Sequence, residues 1–243
     1  MLRKFVDKNL YDDQSPEAIS NRLKNVETNL SYASKDSIYR YIKSVYGRRI
    51  EFHRNKRKAR RWRRRAKNKK LQDRTFINKR PDSINKRRRL GDVEADFIVS
   101  GKTGKGILLV VADRKTRAVF LEKITKITID NVHKSFVEIK QRFPEIKTMT
   151  MDNDILFQKH KELAELLSVK IYFCHPYHSW EKGTVENING HIRKYIPKRS
   201  NISKYSKQFI KSIEVKLNRR FLKCLNSLTP YEVIEKHRKR KKR

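Results

Sequence analysis

Apolar residues follow two different periods along this chain. Between residues 91 and 124 they come in short β-prone blocks, VEADFIV, GILLVVADR and AVFLEKI. Turn signals at 101–106 and 113–117 separate the blocks, which predicts three strands in an antiparallel meander. The period then changes to that of a helix: in ITIDNVHKSFVEIKQRF (127–143), Val132, Phe136, Val137 and Ile139 form one apolar stripe. KTMTMD reads as a fourth strand, QKHKELAELLS as a helix and VKIYF as a fifth strand. After a loop punctuated by Pro176 and Gly183, the stretch 184–195 has no breaker except Gly190 and predicts a further helix. The expected domain is therefore α/β, a mixed five-stranded sheet with flanking helices.

Residues 1–50 carry helical punctuation instead. Ser15-Pro16-Glu17 is a helix start, with Ser as N-cap and Pro in the first turn, and Ala18, Ile19, Arg22 and Leu23 continue the pattern. After a polar break at 27–34, Ser34 opens a second helix in which Ile38, Tyr41, Ile42 and Val45 recur at helical spacing, and Gly47 ends it. Two such helices suit a small helix-turn-helix module, with Lys35, Ser37, Arg40 and Lys43 available to the major groove. A helical hairpin that only packs on the next domain is the plainer alternative.

Charge sharpens this picture. The 243 residues carry 62 Lys and Arg against 26 Asp and Glu, a formal net charge of +36, which calls for a polyanionic partner. Residues 54–89 hold 19 Lys or Arg in 36 positions and few large hydrophobes, so this stretch reads as a basic linker that contacts phosphates. Arg61, Arg63, Arg64 and Arg65 are its densest part. No long apolar segment or signal peptide points to a membrane, so nucleic acid is the expected partner. Cys174 and Cys224 are too few for a disulfide framework or a zinc site and fit small core residues in a reducing cytoplasm. The expected division is a module at 1–50, a linker at 51–89, a core at 90–235 and a basic tail at 236–243.

Candidate chemistry centres on 182–193. On a helix, Lys182, Glu186, Asn189 and Arg193 share one face, a lone acid among groups that grip phosphate. Two further carboxylates stand on predicted strands: Asp152 at the end of one, in MDND, and Asp96 within another, in GDVEAD. Divalent metals need hard oxygen ligands converging from different elements, and these positions can supply them. Spacing alone leaves rivals, because Asp92 and Glu94 share the strand face of Asp96, Asp154 adjoins Asp152, and Glu181 lies just before Glu186. His175 and His178 are further candidate ligands, for which packing or DNA contact is the commoner role.

The order GDVEAD, MDND, WEKGTVENINGHIRKYIP, with 33 residues between Asp152 and Glu186, resembles the D-D-E catalytic core of bacterial insertion-sequence transposases. The resemblance is to the family named for insertion sequence thirty, within the retroviral-integrase superfamily. The Glu-Asn-x-Asn-Gly-x-x-Arg run at Glu186 is its most specific piece, and LNRRFLKCLNSLTPYEV (217–233) resembles the segment that closes the core. What the resemblance implies is a ribonuclease H-like fold whose first and fourth strands are neighbours, bringing Asp96 to Asp152. It further implies Asp96, Asp152 and Glu186 as metal-binding catalytic residues with two Mg²⁺ (or Mn²⁺) ions; Asn153, Lys182, Asn189 and Arg193 are expected either to support those ligands or to contact DNA phosphate.

The implied activity is that of a DNA transposase, which cuts double-stranded DNA at the terminal inverted repeats and transfers the strand into target DNA, working as a homo-oligomer. The rival classes are a non-catalytic DNA-binding remnant and a nuclease of the same fold. The chain departs from the family pattern at Asp154 and Leu156 (usually Gly and Glu), His175 (usually Asp), Lys182 (usually Arg) and Phe221 (usually Pro), and no metal ligand is lost. Family members carry a further DNA-binding module ahead of this one, and the chain is expected to begin inside or after it.

Overall fold

The computed structural model describes residues 1–55, 73–101, 104–176 and 178–241. They fall into two compact units, Met1–Arg64 with Lys216–Arg243, and Arg65–Val215.

In the first unit, helices α1 (Leu2–Tyr11), α2 (Pro16–Asn25), α3 (Lys35–Lys43) and α4 (Arg48–Asn55) enclose a small core of Val6, Leu10, Ile19, Leu23, Ile38, Ile42 and Ile50. The expected caps form: Ser15 Oγ accepts the Ala18 N–H at 3.1 Å and Ser34 Oγ the Ser37 N–H at 3.2 Å. Pairing of α2 with α3 gives the anticipated helix-turn-helix order, and α1 and α4 extend it beyond the two helices expected.

The second unit is built on strands β1 (Asp92–Val99), β2 (Ile107–Asp113), β3 (Val119–Ile124), β4 (Thr148–Met151) and β5 (Lys170–Phe173), in the order β3-β2-β1-β4-β5. β1, β2 and β3 form the antiparallel meander, whereas β4 joins β1, and β5 joins β4, in parallel. With the short α5 (Asp82–Asn85) and helices α6 (Ile129–Arg142), α7 (His160–Leu167), α8 (Gly183–Ile192) and α9 (Lys207–Asn218), this is the ribonuclease H-like arrangement expected, with β1 and β4 adjacent. β2 is buried at every position, which is why its sequence is apolar without a break from Ile107 to Ala112. Phe136 and Ile139 of α6, with Phe143 just beyond it, are likewise buried, and Phe143 stacks on Phe120 of β3 at 4.8 Å. Entry to β1 requires glycine: Gly91 has φ +96, and a Cβ there would meet the Glu145 carbonyl oxygen at 1.8 Å.

Two expected boundaries are corrected. Residues 73–89 do not behave as linker: the Thr75 carbonyl accepts the Phe173 N–H at 2.8 Å, Phe76 bridges to Phe173 in parallel, and Ile84 is fully buried. The segment covers the free edge of β5, which the charge count could not reveal. The C-terminal stretch, placed in the 90–235 core by sequence, belongs with the N-terminal helices from Lys216 onward. Arg22 donates to Glu232 through both terminal nitrogens at 2.8 Å, and the Gln14 side chain bonds the Arg219 carbonyl and the Phe221 N–H. Thr229 and Glu232 cap α10 (Pro230–Lys241) reciprocally, so residues 236–241 continue a helix instead of forming a loose tail. Arg61, Arg63, Arg64 and Arg65 lie outside the described residues. Among the described residues, no helix is long and apolar enough to cross a membrane.

Candidate active site

β1 places Asp92, Glu94 and Asp96 on one face, and the structure separates their roles. Asp92 is fully buried and accepts from Arg89 at 2.8 Å and from the Thr148 hydroxyl at 2.7 Å, tying β1 to β4. Glu94, 1% exposed, accepts from Arg114 Nε at 3.0 Å through one oxygen and from the Thr184 and Val185 N–H groups, both at 2.9 Å, through the other. It therefore supplies the charge that the free N–H groups at the start of α8 require, and fixes that helix over β1.

Asp96 has a different setting. Its Oδ2 accepts from Asn189 Nδ2 at 2.7 Å, and its Oδ1 lies 3.1 Å from Lys182 Nζ. The same ammonium is 3.0 Å from Asp152 Oδ2, beyond the end of β4. Parallel pairing of β1 and β4 thus brings the two aspartates to a single cation, as the adjacency of first and fourth strands implies. Asp152 Oδ1 accepts the Asp154 N–H at 3.2 Å, and Asn153 is pinned between Arg74 and the Cys174 carbonyl. Asp154 caps the short turn Ile155–Phe157, its Oδ1 accepting the Leu156 N–H at 2.9 Å. Asp113 closes the β2–β3 turn by accepting from Thr116 and Gly91.

Glu186 is exposed on α8, and among the described residues it makes no ion pair or hydrogen bond. It stands between Lys182 and Asn189, both of which touch Asp96, at the four-residue and three-residue spacings that share a helix face. Glu181 is otherwise engaged, accepting the His175 N–H at 2.8 Å and facing its Nδ1 at 2.9 Å. His175 also stacks on Phe76, and His178 lies against Trp180, so both rings are packed as well as polar.

Electrostatics follow this geometry. Burial raises the Asp96 carboxyl above the ordinary range, with Lys182 opposing and Asp152 adding to the rise. Burial also disfavours the Lys182 ammonium, but Asp96 and Asp152 outweigh it and hold the lysine above its usual value. Lys182 is only 4% exposed, so its charge is spent on the aspartates and does not face solvent as a phosphate contact would. Arg193 is half-buried and turned to the Pro197 and Val99 carbonyls, with burial lowering its pKa. Lys35, Ser37, Arg40 and Lys43 are all exposed on α3.

Sequence reasoning missed the capping of α8 by Glu94, and it left Lys182 between supporting the carboxylates and contacting phosphate, without its bridging of both aspartates. The period-two spacing of Glu94 and the position of Lys182 four residues before Glu186 were visible. The partners that decide their use come from distant segments.

The chain is 38% identical over 237 residues to the transposase for insertion sequence element IS4351 of Bacteroides fragilis, covering 95% of this chain and 72% of that protein. It is 34% identical over 164 residues to transposase InsI for element IS30A of Escherichia coli, covering 67% of this chain and 42% of that protein. It thus spans most of the first relative and less than half of the second. Among solved structures, the catalytic core domain of BIV integrase is similar at a TM-score of 0.49 and 19% identity, covering 63% of this chain and 99% of that one. No protein-family model matches the chain.

Proposed function

Because this chain belongs to the insertion-sequence transposases of the IS30 family, we propose that it cuts double-stranded DNA at the terminal repeats of its element and joins the freed strand to target DNA. Asp96, Asp152 and Glu186 carry the reaction. The observation that supports this reading is the pair Asp96 and Asp152, both within about 3 Å of one cation, with Glu186 unengaged on the helix above. A positive charge already sits where the two carboxylates converge, and hard oxygen donors from two strands and a helix fit Mg²⁺ or Mn²⁺, two ions per site. When bound, such ions activate water or a 3′-hydroxyl and stabilise the departing oxygen.

The remaining steps belong to the chain. Asn189 holds Asp96 in orientation, the Asn153 and Asp154 contacts hold the loop that carries Asp152, and Glu94 fixes the start of α8 so that Glu186 is delivered to the same place. Lys35, Ser37, Arg40 and Lys43 read the duplex from the exposed face of α3, while the basic surface binds phosphate. Asn189 and Arg193 lie beside the site, close to the phosphate under attack.

The test is strand transfer on a labelled duplex carrying the element's own end, with Mg²⁺ or Mn²⁺, with EDTA, and with Asp152→Asn and Glu186→Gln proteins. Joined products that require metal and both carboxylates are expected. Binding without cleavage would identify a DNA-binding remnant, and cleavage without joining a nuclease.

A further inference from the structure

We propose that Lys182 is the resident counter-cation of the Asp96–Asp152 pair, and that a divalent ion enters this site by exchange with it. This inference rests on the metal-dependent reading above. Each aspartate has one oxygen committed to a neutral donor: Asp96 Oδ2 to the Asn189 amide at 2.7 Å, and Asp152 Oδ1 to the Asp154 N–H at 3.2 Å. The two remaining oxygens, Asp96 Oδ1 and Asp152 Oδ2, both face Lys182 Nζ, at 3.1 and 3.0 Å. A divalent ion held by both of these oxygens would need the space between them. That is the space the ammonium fills, and two cations cannot share it. The amide donors can stay, but the lysine must go.

Lysine suits the task, because a point charge on a flexible four-carbon stem can leave without moving the backbone. Its new partner is at hand. DNA in the site brings phosphate oxygens beside the aspartates, and the released ammonium pairs with one of them. Metal loading is then coupled to DNA: substrate that accepts Lys182 also tightens metal binding, and by linkage metal tightens DNA binding. Without DNA the ammonium stays between the two aspartates, and the resting protein binds metal weakly.

The experiment is a Mn²⁺ titration of the full chain, followed by electron paramagnetic resonance of the free ion, with and without an uncleavable duplex end. Wild type, Lys182→Gln, Lys182→Arg and Asp96→Asn are compared. Without DNA, Lys182→Gln should bind Mn²⁺ at least about tenfold more tightly than wild type, since a competing positive charge has been removed. Lys182→Arg should stay weak, and Asp96→Asn should lose the site. Adding duplex should tighten Mn²⁺ binding in wild type more than in Lys182→Gln.

Equal, Asp96-dependent affinities in wild type and Lys182→Gln would overturn the exchange and leave the metal reading standing. Absence of Asp96-dependent binding in every protein, with or without duplex, would remove the metal reading and the exchange together. A measurement on wild type alone guards against a variant that does not fold. Amine-reactive labelling read by mass spectrometry should find Lys182 protected in the free protein and labelled several-fold faster at saturating Mn²⁺. Unchanged protection would overturn the proposal.

Discussion

Glu94 and Asp96 stand two residues apart on one face of β1, and their partners are of opposite kinds. Glu94 is met by backbone N–H groups of α8 and by a buried guanidinium that also donates to the Ile84 carbonyl. Asp96 is met by a side-chain amide and by an ammonium on a flexible stem. The first set cannot leave without unfolding the helix start. The second can rearrange while the fold stays intact. A carboxylate whose partners are fixed suits structure, and one whose partners are movable suits chemistry, which is the distinction the proposed site draws between positions that spacing leaves equal.

The largest expected effects come from breaking this pair one member at a time. Asp96→Asn should lower strand transfer on the order of 10³-fold, the scale of losing one preorganised electrostatic contact to the reacting groups. Its unfolding free energy should move by less than about 1 kcal/mol, because the amide keeps a hydrogen-bonding partner and the cost of burying that charge is relieved. Glu94→Ala should do the reverse. With Arg114 left unpaired in the interior and the first N–H groups of α8 uncapped, unfolding in urea should show a loss of about 3–5 kcal/mol. Glu94→Gln retains an acceptor for those N–H groups and should fall between. A stable but inactive Glu94→Ala protein would place Glu94 in the chemistry and dissolve the distinction.

The first unit offers a third kind of carboxylate, one locked by Arg yet partly open to water. Burial acts to raise Glu232, but hydrogen bonds from Arg22 and Thr229 outweigh it and bring its pKa down to about 2, from an ordinary value of 4.5. A group depressed by folding stabilises the protein above its unfolded pKa, and that contribution is lost as pH falls through the folded one. The undiscounted shift is worth about 3 kcal/mol. Solvent screening on the open side of Glu232 reduces this to roughly 1–2 kcal/mol. Stability of the wild type relative to Glu232→Gln should therefore be greatest above pH 4.5 and vanish toward pH 2, as followed by thermal unfolding. A difference that persists at the acid end would mean that Glu232 acts through packing and not charge.

What the sequence made legible follows the same division between local and distant causes. All five strands and the three helices expected between and after them are where apolar periodicity put them, since each depends on residues near in sequence. Ser15 and Ser34 announced their caps for the same reason. The segment 73–89 was misread because its charge is local, whereas the β5 edge it covers lies about a hundred residues away in the chain. The shift of Lys216–Arg243 to the first unit turns on Arg22 meeting Glu232 and Gln14 meeting Phe221, contacts no window of sequence contains. Among the candidate site residues, Asp96, Asp152 and Glu186 are expectations from the family motif, and the meeting of the two aspartates at Lys182 is what the structure adds. Lys182 and Asn189 were legible only as members of a helix face, because a basic or amide residue beside an acid fits a phosphate contact and a carboxylate contact equally well.

The finest probe of the comparison is Asn189. Its Nδ2 donates to Asp96 at 2.7 Å, while its Oδ1 is buried and without a hydrogen-bond partner among the described residues. Removing the side chain therefore deletes one good hydrogen bond and one unsatisfied acceptor, terms of opposite sign that each amount to about 1 kcal/mol. The net change in stability for Asn189→Ala should be less than about 0.5 kcal/mol, the smallest effect among these variants. Activity should respond more than stability, because Asp96 loses the donor that orients it and must be ordered anew in each turnover. The expected signature is a rise in the Mn²⁺ concentration needed for half-maximal strand transfer, with recovery toward the wild-type value at saturating metal. If Asn189→Ala instead loses several kcal/mol in urea unfolding, the Asp96 corner is as structural as the Glu94 corner, and movable partners cannot be what distinguishes them.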